Sequence, residues 1–194
     1  MSPLSWLSFF QTPGRLTSAY QHLMALHWSM SWCYFCLFPT GLIMADLSRE
    51  VPIRSGLYDF HKGLGVFVIG LLLWRILVLL RVWWKKYSRR TPRFSTAWWR
   101  KVTLHSLLYL FMLAVPLSGL FFSNSFKSSN VFFLGMTVPD LFSENEARVD
   151  LGRSLHFWLS YLFLTVVVLH VFQQRKVVRA IWRRWTEFLT HIRA

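Results

Sequence analysis

Acidic residues are scarce in this chain. Its 194 residues hold 8 Asp+Glu against 22 Lys+Arg, and the two signs together make up only 15%. A soluble domain with so little charge needs polar loops at short intervals. Long apolar stretches run through most of this sequence instead. Cysteine is as sparse, and two of them exclude a disulfide-stapled secreted fold. There is no P-loop, no G-x-G-x-x-G after a strand, no H-E-x-x-H and no serine-nucleophile signature, so no recognised motif holds a nucleotide, NAD or flavin. Strict polar–apolar alternation is missing too, which argues against a membrane β-barrel. The apolar run Leu4–Phe10 is too short for a span. It also lacks the basic start and small-residue cleavage site of a signal peptide. No internal repeat, low-complexity tract or domain break is visible, so residues 1–194 read as a single domain.

What is present is apolar and aromatic: 54% hydrophobic residues, among them 11 Trp. The net charge of +14 points superficially to nucleic acid. The basic residues flank apolar segments rather than forming a basic domain, so no nucleic-acid partner is expected. Four segments approach the ~20 apolar residues that cross a bilayer as helix. They run from about Leu23 to Leu47, His61 to Leu80, Val102 to Phe122 and Leu155 to Phe172. The expected fold is an all-α, four-helix transmembrane bundle.

Loop charge gives the orientation. Arg81, Lys85, Lys86, Arg89, Arg90, Arg93, Arg100 and Lys101 lie between the second and third segments with no acid among them. Arg175, Lys176, Arg179, Arg183, Arg184 and Arg193 follow the fourth against Glu187 alone. The other two loops mix both signs. The positive-inside rule therefore predicts cytoplasmic termini, with Trp83, Trp84, Trp98 and Trp99 in an interfacial belt. In the tail, Val177, Ile181, Trp185, Phe188 and Ile192 recur at helical spacing, with Arg175, Arg179 and Arg183 on another face. That pattern suits an amphipathic helix on anionic lipid, or an ordinary basic stop-transfer tail.

Ionisable groups inside spans are expensive and are functional candidates by default. His156 and His170 lie on the fourth segment, ~21 Å apart along the axis and within ~40° of the same face. His27, early in the first segment, shares a depth with His170; His61, opening the second, shares one with His156. Any one of these could be a packed polar residue bonding across helices. Four at two matched depths point instead to two bis-imidazole haem sites, an inner His27–His170 and an outer His61–His156. His105 opens the third segment without a partner. It suits a haem propionate, a quinone oxygen with proton delivery, or water at the interface. Arg75, deep in the second segment, suits a propionate or snorkels to the interface. Lys62 and Arg153, with Lys127 and Arg148, could hold propionates or steer a small anionic reactant to the outer site. Cys33 and Cys36 form a C-x-x-C followed by Leu37, which does not signal covalent haem attachment. Pro39 with Gly41, and Pro116 with Ser118 and Gly119, predict kinks that make room for bulky ligands or for packing.

At these residues the sequence resembles the bacterial cytochrome b561 family of four-helix di-haem proteins. The likeness rests on Leu26–Trp28, Phe60–Arg81, His105–Leu120 and the pair His156 and His170. Phe132–Asp150 is similar to the outer loop of the superoxide oxidase branch. The resemblance implies two haem b groups on His27, His61, His156 and His170. It also implies an electron donor outside, superoxide in that branch, and a ubiquinone site toward the cytoplasm with proton uptake from within. Two other roles fit the sequence: a haem subunit relaying electrons for a hydrogenase or periplasmic redox protein, and a non-redox transporter or assembly factor.

Overall fold

The computed structural model describes residues 18–87 and 95–193. Leu4–Phe10 and the basic residues Arg89, Arg90 and Arg93 lie outside the described residues, as do the side chains of Lys85, Lys86, Trp185, Phe188, Ile192 and Arg193. Four long helices dominate: α1 (Ser18–Asp46), α2 (Ile53–Tyr87), α3 (Thr96–Phe126) and α4 (Val149–Gln173), followed by α5 (Arg175–Arg193). Each begins before the apolar segment that announced it, and α2, α3 and α4 also end after theirs, while α1 stops one residue short of Leu47. Polar and charged residues outside the hydrocarbon still favour helix, so composition marks the buried length and not the helix ends. By length and composition, Ile53–Trp84, Trp98–Phe126 and Glu146–Gln173 are apolar enough to cross a membrane. Helix α1 is diluted by Gln21, His22, His27, Ser29, Ser31 and Thr40. It therefore stands apart from the other three.

The helix ends follow local chemistry. Ser95 caps α3, its hydroxyl accepting from the Trp98 N–H at 3.2 Å. Asn145 accepts from the Ala147 N–H at 3.0 Å to start a 3-10 turn, Glu146–Arg148, that feeds α4. Gln174 alone separates α4 from α5, its N–H bonded to the His170 and Val171 carbonyls.

Consecutive helices run antiparallel. On one side Thr40 and Gly41 of α1 meet His61 of α2, and at the opposite end the Leu23 carbonyl meets Arg75. Helices α3 and α4 pair the same way, from Phe122 against Gly152 to His105 against His170. Val68 and Leu72 of α2 are completely buried, with Met30 and Leu37 of α1 packed on them. The outward faces are apolar: Leu73, Trp74, Leu77, Trp158, Leu162 and Leu169 are all exposed. Soluble monomers do not carry so much contiguous apolar surface, and lipid is its natural cover.

Between α3 and α4 the chain folds into a small antiparallel hairpin, β1 (Phe132–Phe133) and β2 (Met136–Thr137), which composition did not announce. Its turn residues Leu134 and Gly135 both take positive φ, 50° and 80°, as a two-residue primed turn requires. The hairpin lies on α2. Phe133 stacks on Phe67 at 6.2 Å, Lys62 Nζ donates to the Asn130 carbonyl at 3.1 Å, and a Cβ on Gly63 would sit 3.0 Å from the Phe132 carbonyl. Asp140 pins the rest of the loop, accepting from Asn124 Nδ2 and the Ser129 N–H.

Candidate haem-binding site

The four helices bring six ionisable side chains into two layers. At the hairpin end, the rings of His61 (α2) and His156 (α4) face each other with centroids 6.2 Å apart and planes at 87°. At the α5 end, His27 (α1) and His170 (α4) do the same at 6.3 Å and 71°. Two metal–imidazole bonds of about 2.0–2.1 Å each, extended to the ring centres, place trans imidazoles with centroids about 6 Å apart. Edge-to-face aromatic pairs fall in the same range. Hydrogen bonding separates the two cases. His156 Nδ1 donates to the Val115 carbonyl at 3.0 Å and lies 3.2 Å from Ser118 Oγ. His61 Nδ1 lies 3.3 Å from Thr40 Oγ1. Both rings thus spend Nδ1–H on the neighbouring helix and keep the Nε2 lone pair free, the state a metal ligand needs.

The backbone leaves room as well. No Cα of α4 comes within 8 Å of α1 or α2 among the described residues, so α4 reaches them only through large side chains. His170 Nδ1 is buried without a hydrogen-bond partner among the described residues. A polar ring atom in that position marks a pocket built around something other than lipid. The donor set, the ring spacing and the gap around α4 all fit haem.

Midway between the two layers sits Phe163, 1% exposed. Tyr34, Phe38 and Phe111 surround it at 4.9, 5.9 and 6.3 Å.

The remaining candidates are placed as follows. Arg75 stands at the α5 end, half-buried, with Nε donating to Tyr109 Oη at 2.9 Å and a terminal nitrogen donating to the Leu23 carbonyl at 3.0 Å. His105 comes within 5.5 Å of His170, making three histidines at that end; its Nδ1 donates to the Lys101 carbonyl at 2.7 Å and its ring is otherwise exposed. At the hairpin end, Arg153 pairs with Asp150 at 3.3 Å and lies over Phe122. Lys127 and Arg148 are exposed. The loop between them carries one shifted acid. The Ser128 N–H, bonded at 2.9 Å, holds the Glu144 carboxyl below the usual carboxylate range.

Sequence reasoning took Pro39–Gly41 and Pro116–Gly119 as kinks and missed their second role. Thr40 Oγ1 donates to the Leu37 carbonyl at 3.1 Å and to the Cys36 carbonyl at 2.8 Å. Ser118 Oγ donates to the Val115 carbonyl at 2.7 Å. A Cβ on Gly41 would stand 3.1 Å from His61 Cε1, and one on Gly119 would stand 3.1 Å from His156 Cε1. Each hydroxyl precedes its glycine by one residue, and the interval from His27 to Thr40 equals that from His105 to Ser118. Helices α1 and α3 are thus two copies of one pattern. Histidine, then hydroxyl–glycine, was the signal available in the sequence. Tyr34 and Pro116 belong to the same scheme. Proline lacks the N–H that would bond the Met112 carbonyl, and Tyr34 Oη reaches that carbonyl at 3.4 Å.

Residues 21–184 match the family model for prokaryotic cytochrome b561. The chain is also 28% identical, over 176 residues and 88% of each protein, to the Escherichia coli (strain K12) protein named cytochrome b561 homolog 2.

Proposed function

Since the chain belongs to the prokaryotic cytochrome b561 family, a family of membrane-integral haem b electron carriers, we propose that it is a four-span, di-haem oxidoreductase of the bacterial inner membrane. It passes single electrons from a donor on the outer side to ubiquinone, and superoxide is the preferred donor. The observation that carries this reading is the pair of facing imidazoles at each end of α4, at 6.2 and 6.3 Å. His61 and His156 would hold the outer haem, His27 and His170 the inner. Bound haem supplies the one-electron chemistry, and the protein supplies position, dryness and charge.

In this reading the hairpin end faces outward and the basic α5 end faces the cytoplasm, in keeping with loop charge. That orientation puts both termini inside. Helix α1 is the fourth span, with His27 and Thr40 turned to the rings of α4 and α2. His105 and Arg75 stand where quinone and a cytoplasmic proton would meet, with His105 Nε2 free to take up that proton.

The two outer loops each sum to a charge of −1, so an anionic donor would depend on the local cations beside the outer rings. Lys62 is adjacent to His61, and Arg153 lies one turn before His156. The Arg153–Asp150 pair is widely exposed, at 64% and 93%, so it is screened and leaves Arg153 available to a diffusing anion.

A reduced-minus-oxidised spectrum with pyridine haemochrome analysis of the pure protein should give about two haem b per chain. One haem with all four histidines intact would overturn the two-layer arrangement. Stopped-flow reduction by superoxide, with ubiquinone as acceptor, tests the donor. Neutralising Lys62 and Arg153 together should slow that reduction and flatten its salt dependence, while reduction from the quinol side stays unchanged. Haems inert to superoxide without a partner protein would favour the relay-subunit role.

A further inference from the structure

The two imidazole pairs are held differently. At the hairpin end both rings are backed by the same device: a hydroxyl beside Nδ1, whose own proton is committed to a helix carbonyl, and a glycine against the ring edge. Ser118 Oγ gives its proton to the Val115 carbonyl at 2.7 Å, and Thr40 Oγ1 gives its own to the Cys36 carbonyl at 2.8 Å. Neither hydroxyl has a proton left for the ring. Each must therefore accept from the imidazole N–H at 3.2–3.3 Å, Ser118 sharing the His156 proton with the nearer Val115 carbonyl at 3.0 Å. At the α5 end the support is missing. Ser31 Oγ donates to the His27 backbone carbonyl instead of facing its ring, and His170 Nδ1 is buried without a partner among the described residues. Fixed cations stand at both ends, Arg75 here and Lys62 and Arg153 at the hairpin end, so the hydrogen bonds are what distinguish the two sites.

An acceptor on the far nitrogen of a metal-bound imidazole fixes its tautomer and makes it a stronger electron donor to the metal. That favours the oxidised ion.

On these grounds we propose that Thr40 and Ser118 are positioning residues that lower the potential of the haem between His61 and His156, so that the hairpin-end haem is the weaker oxidant and the His27–His170 haem the stronger. Electrons entering at the hairpin end then run downhill along α4. The inference rests on the two-haem reading above and adds to it a direction built by residues that touch no iron.

The test is an anaerobic spectroelectrochemical titration of the holoprotein and three variants, with haem content measured on each. Thr40→Val keeps shape and removes the acceptor, Thr40→Ser restores it, and Ser118→Ala removes the second acceptor independently. Thr40→Val should shift one of the two haem couples upward by about tenfold in its reduced-to-oxidised equilibrium, about 59 mV for one electron, and Ser118→Ala, which leaves the Val115 carbonyl on His156, should shift the same couple upward by less. Thr40→Ser should return it, and the other couple should stay in place. His156→Ala, which deletes the hairpin-end haem, identifies the couple that moved. A single shifted couple that survives in His156→Ala overturns the proposal. So do unmoved potentials at full haem content, or an equal shift of both couples. A parent protein without two haems fails the functional reading itself, before any variant is measured. If Thr40→Val binds no haem at the hairpin end, Ser118→Ala alone decides.

Discussion

Replacing Gly152 by alanine tests how closely the α3–α4 contact governs the His156 layer. A Cβ at this position would lie 2.8 Å from Phe122 Cα and 3.1 Å from Phe122 Cβ. Backbone cannot swing aside as a side chain does, so the helices must part. The opening required is about 0.6 Å, the step from 2.8 Å to the 3.4 Å at which ordinary contact begins. His156 stands one turn further along α4 on the same side. The parting carries its 3.0 Å bond to Val115 and its 3.2 Å contact with Ser118 to the edge of hydrogen-bonding range. Overpacking costs about 1–3 kcal/mol and a weakened hydrogen bond about 0.5–1.5, while alanine returns about 1 in helix propensity, leaving a net loss of about 0.5–3.5 kcal/mol. Thermal unfolding in detergent, with the visible spectrum followed in parallel, should show a lower midpoint and a perturbed hairpin-end haem. Gly70→Ala is the control, because nothing lies within 4 Å of its added Cβ. It should be neutral or slightly stabilising. If Gly152→Ala unfolds with Gly70→Ala and keeps the parental spectrum, the contact is slack and the reasoning fails.

His156→Ala should delete the hairpin-end haem and His170→Ala the α5-end haem, each leaving the other layer spectrally recognisable; a spectrum unchanged by either would disprove that pairing. Tyr109→Phe removes the acceptor of Arg75 Nε and should cost about 1 kcal/mol, as for a half-buried charged donor left with one partner fewer. Its unfolding midpoint should fall without loss of the hairpin-end spectrum. The Glu144 carboxyl is held below its usual range by the Ser128 N–H, so this anchor is fully present above the ordinary carboxylate value. It is lost as pH falls through the lowered folded one. Protection of the Ser128 amide, relative to its intrinsic exchange rate, should fall in that acid window and be low at every pH in Glu144→Ala, which has no acceptor.

Helix order and the depths of the histidines were legible because both follow from distance along a helix axis. Rings assigned to one depth do meet: His61 with His156, and His27 with His170. Azimuth is harder to read. That Thr40 and Ser118 face the rings of other helices depends on how α1 and α3 are turned against α2 and α4, which spacing within one helix does not specify. His105 looked partnerless for the same reason, yet it stands 5.5 Å from His170. The hairpin escaped notice because its strands are two residues each and depend on Gly63 and Phe67 of α2, long-range partners that local propensity does not contain. Helix α1 read as one more apolar span, although its hydropathy falls behind the others. Two of its polar residues, His27 and Thr40, meet rings of other helices, which a composition window averages away.

Phe163, walled in by Tyr34, Phe38 and Phe111, gives the proposed electron path an electrical character. A dry aromatic plug passes an electron by tunnelling but admits neither water nor an accompanying ion. Charge that moves from one histidine layer to the other therefore does so uncompensated. The layers are ~21 Å apart along α4, about two-thirds of a ~30 Å hydrocarbon core. Moving one charge through the whole membrane field takes about 2.3 kcal/mol per 100 mV, so this step spans about 1.6. With the cell interior negative, an electron arriving from outside climbs that slope. The tenfold bias ascribed to Thr40 at the hairpin end, about 1.4 kcal/mol, is of the same size. In the proposed reading, two hydroxyl groups and one aromatic ring would hold electron flow inward against the membrane voltage.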